Sequence, residues 1–179
     1  MDHDQFWQLI GEARAAAAEQ DSDSVAERAT QLLAELPADK IVGAEQVLRD
    51  LLAESYLCDL WGAAYLINGG ASDDGFEYFR GWLISEGREV FERAVADPDS
   101  LADVPAVRRA AAVGQDLDGE PILGIAWTAY HRRTGEQLPS NAATISYPSI
   151  TFGWDFEDHD ERSRRLPRLS QLKRGQAPT

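Results

Sequence analysis

Cysteine is nearly absent: Cys58 stands alone among 179 residues. No intrachain disulfide is open to it, which excludes the bridged framework of small secreted domains. Lysine is almost as scarce, Lys40 and Lys173 being the two examples. Neither follows a glycine-rich run, so a phosphate-cradling loop with its lysine is missing, and so is a Gly-x-Ser-x-Gly nucleophile elbow. No stretch approaches the roughly 20 apolar residues of a membrane-spanning helix. The opening Met1-Asp2-His3-Asp4 is acidic and runs straight into an amphipathic pattern, unlike a signal peptide. These absences predict a cytoplasmic protein without a membrane anchor, and no motif implies a cofactor.

Positive charge is short as well, and unevenly placed. Residues 1–161 hold all 31 acids and only 11 bases, a net charge of −20. Residues 162–179 hold six bases (Arg162, Arg164, Arg165, Arg168, Lys173, Arg174) and no acid. A body this negative repels phosphate backbones and anionic headgroups, which excludes nucleic-acid or membrane binding through its surface. The basic end carries Leu166, Leu169 and Leu172 between its charges. It reads either as a short binding segment or as a terminus whose leucines dock on the acidic body, with 173–179 free.

What the chain does have is helical periodicity. Its 44% hydrophobic content is enough for a folded core, and the length suits one domain, placed at 1–172. Asp2 or Asp4 caps a helix to about Gln20 with Phe6, Leu9, Ile10 and Ala13 on one stripe. A second, to about Leu36, presents Val25, Ala29, Leu32 and Leu33. Pro37 opens a third, holding Ile41, Ala44, Val47, Leu48, Leu51 and Leu52 in register to about Tyr56. Asp59 to Asn68 is apolar nearly all round, the mark of a buried helix, and Gly69-Gly70 ends it. Gly75 to Glu86 places Phe76, Phe79, Trp82 and Leu83 on one face. A short helix around Phe91 breaks at Asp97-Pro98-Asp99-Ser100. Pro105–Val113 and Pro121–Thr134 read as further helices. Residues 136–153 change character and read as an ordered loop over the bundle surface. A last helix starts near Asp155, with Pro167 ending or bending it. The fold class is all-α.

The run DLWGAAYLINGGASDDGFEYFRGWLISEGREVFERAVADPDSLADV (Asp59 to Val104) resembles the hallmark of an uncharacterised bacterial family, a domain of unknown function. MDHDQFWQLI at the start, AYHRRTGEQLP (Ala129 to Pro139) and WDFEDHDERSRRLPRL (Trp154 to Leu169) resemble its other blocks. The resemblance implies a compact helical protein acting as one unit. It brings no catalytic residue with it.

The densest group of unusual residues is the corner from Asn68 to Arg80. Asn68, Asp73, Asp74, Glu77 and Arg80, walled by Trp61, Tyr65, Tyr78 and Trp82, are the candidate ligand-binding residues. As a pocket they suit a cationic or amide group, a metal ion, or an anion at the helix N-terminus. As plain architecture, Gly-Gly ends one helix, Ser72-Asp73-Asp74 caps the next, and Glu77–Arg80 forms an ion pair three residues apart. Adjacent Asp73 and Asp74 do not face each other as the carboxylates of a glycosidase do. The acidic run Asp155 to Glu161 around His159 has oxygen ligands, but without the spacing of a calcium loop. No catalytic residue stands out. The sequence therefore favours a non-enzymatic partner-binding protein, an adaptor or immunity-type inhibitor presenting an acidic face to a basic protein. The alternative is a small-molecule or metal-assisted site, hydrolytic in the sharpest version, at the Asn68–Arg80 corner.

Overall fold

Several helix starts fall where the sequence supplies an acceptor. The computed structural model describes residues 1–174, the last two by backbone alone. Among them are eleven α-helices and one 3-10 turn, with no strand. Asp2 caps α1 (His3–Ala16) in a full capping box with Gln5, and Asp21 caps α2 (Ser22–Ala34). α1 stops short of the expected Gln20, whose side chain turns back and donates to the Arg14 carbonyl at 3.0 Å. α3 (Ala38–Glu54) opens behind Pro37. α4 (Cys58–Asn68) closes on Gly69, whose φ of 74° lies in the left-handed region that favours glycine. Ser72 caps α5 (Asp73–Ser85). Then come α6 (Arg88–Ala96), the 3-10 turn (Pro98–Asp103) and α7 (Pro105–Val113).

The single helix expected over Pro121–Thr134 is two, α8 (Glu120–Leu123) and α9 (Ile125–Thr134), interrupted at Gly124. Glycine is the weakest helix former after proline, so a bend is cheapest there. Residues 136–153 are irregular chain, as expected, and are called the strap below.

The chain ends in α10 (His159–Arg165) and α11 (Pro167–Arg174). Pro167, expected to end or bend a helix, begins one; at a first-turn position its missing N–H costs nothing. Asp99 in the 3-10 turn is 6% exposed, and its carboxylate accepts the Arg168 and Leu169 N–H groups at 3.0 Å each. A carboxylate there complements the positive end of the helix dipole. Arg168 pairs with Asp103, Arg165 with Asp59 at 3.6 Å, and Leu166 and Leu169 are buried. The first half of the basic end thus belongs to the fold. α11 continues through the backbone of Lys173 and Arg174, two residues past the boundary at 172, and 175–179 lie outside the described residues.

Packing centres on α5. It touches α2, α3, α4, α6 and α8, and Phe76 and Phe79 to Ser85 are all buried. One layer joins α1, α2, α3 and α9 through Phe6, Ile10, Leu33, Leu48 and Ala129. The other joins α4, α7, α11 and the 3-10 turn. On the α8 side, α5 approaches so closely that a Cβ on Gly81 would overlap the Gly119 carbonyl oxygen.

Gly81→Ala is therefore expected to destabilise the protein by about 2 kcal/mol through overpacking, read as a lower urea midpoint; an unchanged midpoint contradicts the close approach. Hydrogen bonds from Arg168 hold the Asp103 carboxylate below its ordinary 3.8, and those from Arg165 and Arg164 lower Glu161 likewise. Stabilisation from such depressed groups is complete above the ordinary carboxylate range and fades as pH falls through the folded values. Leu169 and Leu172 amide resonances should then shift towards unfolded positions as pH falls below the ordinary carboxylate range and both groups are protonated, and sooner in high salt; native positions with both carboxylates protonated count against this docking.

Candidate functional site

The corner begins with a helix stop and a helix start. Gly69 and Gly70 turn the chain out of α4, and the Ser72 hydroxyl accepts the Gly75 N–H at 3.1 Å. Asp73 and Asp74 fill the first turn of α5 and are exposed, where their charge suits the helix N-terminus.

The other seven candidates are drawn towards three different segments. Asn68 brackets Leu117 with both ends of its amide: Nδ2 donates to the carbonyl at 3.1 Å and Oδ1 accepts the N–H at 3.0 Å. The Tyr78 carbonyl accepts the Gly119 N–H at 3.0 Å. At the other end of Tyr78, the charge of Glu120 raises the phenol above its ordinary pKa. Trp82 is buried against the same loop. Tyr65 leaves in another direction and donates to Glu157 Oε1 at 2.9 Å, which raises its own pKa. Trp61 and Arg80 meet beneath the strap. Sequence-predicted neighbours are therefore placed together in two groups: Asn68, Tyr78 and Trp82 meet the 117–119 loop, while Trp61 stacks on Phe76 at 4.7 Å and 18° and the Arg80 guanidinium lies 4.7 Å from the same Phe76 ring.

The expected Glu77–Arg80 ion pair is not what the structure shows. Arg80 is 2% exposed and turns inward. Its Nη1 donates to the Leu52 carbonyl at the C-terminal end of α3, and Nε donates to the Phe76 carbonyl at 3.3 Å. The last carbonyls of a helix lack intrahelical donors, and a cation is favoured at that end, so α3 gives Arg80 a reason to turn in. Rings of Tyr56, Phe76 and Tyr147 surround the guanidinium at 5.1, 4.7 and 5.4 Å. Burial lowers the Arg80 pKa, and Tyr147 and then Glu77 oppose that shift. Glu77 thus acts on Arg80 through space.

Two features of this region are new relative to the sequence reading. Tyr147 and Phe152 of the strap complete the aromatic cluster, Tyr147 at 4.7 Å from Tyr56 and Phe152 at 5.2 Å from Trp61. The sequence signal was the change of character over 136–153, which gave no partner. The second is a cleft of about 390 Å³ bordered by Glu19, Asp21, Trp82, Arg109, Asp116 and Asp118. Its acids come from two distant segments, so periodicity within either one is silent about it.

The acidic run near the C-terminus is structural. Asp155 accepts the Glu157 N–H at 2.8 Å, and Asp158 accepts those of Asp160 and Glu161 at 2.8 and 3.1 Å. Trp154 lies so tightly over Gly62 that a Cβ there would strike its ring. Its indole N–H donates to Asp59 at 2.8 Å. Among the described residues, no three His, Cys, Asp or Glu side chains converge as a metal site. Cys58 is half-buried at the start of α4.

Taken together, fold and corner define an all-α protein whose central turn fastens surface loops. Residues 1–132 match the family described as protein of unknown function (DUF4240), and the chain belongs to that family. The match ends inside α9, ahead of the strap and the last two helices. No curated protein and no solved structure matches the chain.

Arg80→Ala removes a buried side chain and its hydrogen bond to the Leu52 carbonyl, so a loss of roughly 3 kcal/mol is expected. Chemical denaturation measures it. A change below about 0.5 kcal/mol, the size of an ordinary surface substitution, contradicts the role given to this residue.

Proposed function

We propose that this is a non-enzymatic, cytoplasmic partner-binding protein, an adaptor or immunity-type inhibitor, that holds a basic protein against its acidic surface. One observation carries the reading: many of the arginines are engaged within the molecule while many acids stay exposed. Arg14 pairs with Glu86, Arg88 with Asp4 and Glu92, Arg132 with Glu27, and Arg164 and Arg165 with Glu161. Asp23, Asp73, Asp74, Asp116, Asp118 and Asp155 remain exposed.

The docking of the basic end supports the same reading. Arg165 and Arg168 are held by Asp59 and Asp103, so these two bases are anchored to the body and do not form a free arm for a phosphate backbone. An excess of negative potential speeds the encounter with a positive partner and selects against negative ones. The lone cysteine suits a reducing compartment.

Immobilised protein should retain a basic partner from lysate at about 0.05 M salt and release most of it at about 0.5 M, where screening is several-fold stronger. Retention of no partner, or retention indifferent to ionic strength, sinks the reading.

A further inference from the structure

Three of the five large hydrophobic side chains exposed among the described residues fall within eight positions of the strap: Ile145 at 37%, Tyr147 at 39% and Phe152 at 57%. Scattered exposed apolar residues are ordinary, but a cluster on one irregular segment marks an interaction surface. A structureless segment this long in a small domain is itself uncommon and is typical of binding loops.

The cluster is held in place from beneath. Gln46 on α3 clamps Thr144 with two bonds, accepting its N–H at 2.9 Å and donating to its carbonyl at 3.0 Å. Tyr147 lies on Tyr56 and Arg80, and Phe152 lies on Trp61 and, at 5.9 Å, on Phe156. A face ordered before binding loses less entropy when a partner arrives.

The rim supplies the charge of that partner. Asp50 accepts from the same Gln46 that clamps Thr144, at 2.8 Å. Glu77 acts on Arg80 next to Tyr147. Glu157 binds Tyr65, whose ring is 5.9 Å from Phe156. Carboxylates therefore neighbour the residues that hold this apolar centre, with Arg162 as a cation beside Glu157; an apolar middle with a polar rim is the usual arrangement of an interface. Anionic headgroups are repelled by this rim, and so is a second copy of an equally acidic body.

We propose that Ile145, Tyr147 and Phe152 form the docking face for a basic amphipathic segment of a partner protein. Its apolar side chains seat on the rings, and its lysines and arginines reach the surrounding carboxylates. This rests on the partner-binding reading above and assigns it a place and a partner chemistry.

The test uses the full chain and two labelled peptides of equal positive charge, compared by fluorescence anisotropy at low salt. One is a Lys/Leu/Trp amphipathic helix; in the other, Leu and Trp are replaced by Ser. The amphipathic peptide should bind at least tenfold tighter. Phe152→Ser and Ile145→Ser should each reduce that preference several-fold, while Trp127→Ser on α9 leaves it intact. Two substitutions are used because Phe152 also packs on Trp61, whereas Ile145 has no ring contact to lose; circular dichroism confirms that each variant is folded. If the preference survives both strap substitutions, docking lies elsewhere: this inference fails and the acidic-surface reading stands. Neither peptide binding defeats both. If the same substitutions abolish self-association in sedimentation, or binding to anionic vesicles, the face belongs to another occupant and the inference is equally overturned.

Discussion

A guanidinium buried to 2% exposure, with its hydrogen bonds going to backbone carbonyls, is the constraint around which this molecule is arranged. Removing a charge from water is costly, and a single neutral acceptor does not offset it. Arg80 meets that cost by position. It supplies a donor to the open C-terminal end of α3, where cations are favoured, and it lies among three aromatic rings whose faces attract positive charge. One side chain thereby joins α3, α5 and the strap, three segments remote from one another in sequence. Tyr147 reaches the body largely through this cation and Tyr56.

The same logic recurs at the other attachments of α5 and its neighbours. Asn68 and the Tyr78 carbonyl take the backbone of 117–119, and Gly81 and Gly119 remove the side chains that would hold the two apart. Asp99 takes the first N–H groups of α11 from inside the fold. Polar groups facing inward thus satisfy backbone that has no helical partner. Outward, many of the positive charges are engaged in pairs, and the excess of carboxylates gives the surface its sign. The matched residues 1–132 include the fasteners Asn68, Tyr78 and Arg80, and the strap that Arg80 contacts lies beyond the match.

The helices were largely legible in the sequence because their apolar positions recur with the helical period and their caps are local. Asp21, Gly69 and Ser72 show their purpose within four residues. The strap was legible as irregular chain, though not as the roof of an aromatic cluster, since Tyr56 and Tyr147 lie far apart along the chain. Arg80 illustrates the limit best. Spacing offers Glu77 as its partner, whereas the choice is made by the α3 terminus, about which local pattern says nothing. Pro167 and Gly124 misled in a smaller way: Pro167, expected to end or bend a helix, also begins one, and the helix expected to run through Gly124 is interrupted there. For the candidate site, the sequence pointed to the Asn68–Arg80 corner. Most of its members turned out to fasten surrounding loops, because their hydrogen-bond partners come from segments distant in the chain.

Backbone amide exchange across the strap in Arg80→Met, set beside the unaltered protein, probes this organisation most directly. Methionine keeps the bulk and removes the charge and its donors. If Arg80 holds the strap, the Thr144 amide, bonded to Gln46, exchanges at least tenfold faster in the variant while those of α1, α2 and α9 keep their protection. Unchanged exchange in the strap, or an equal rise throughout the molecule, contradicts the account.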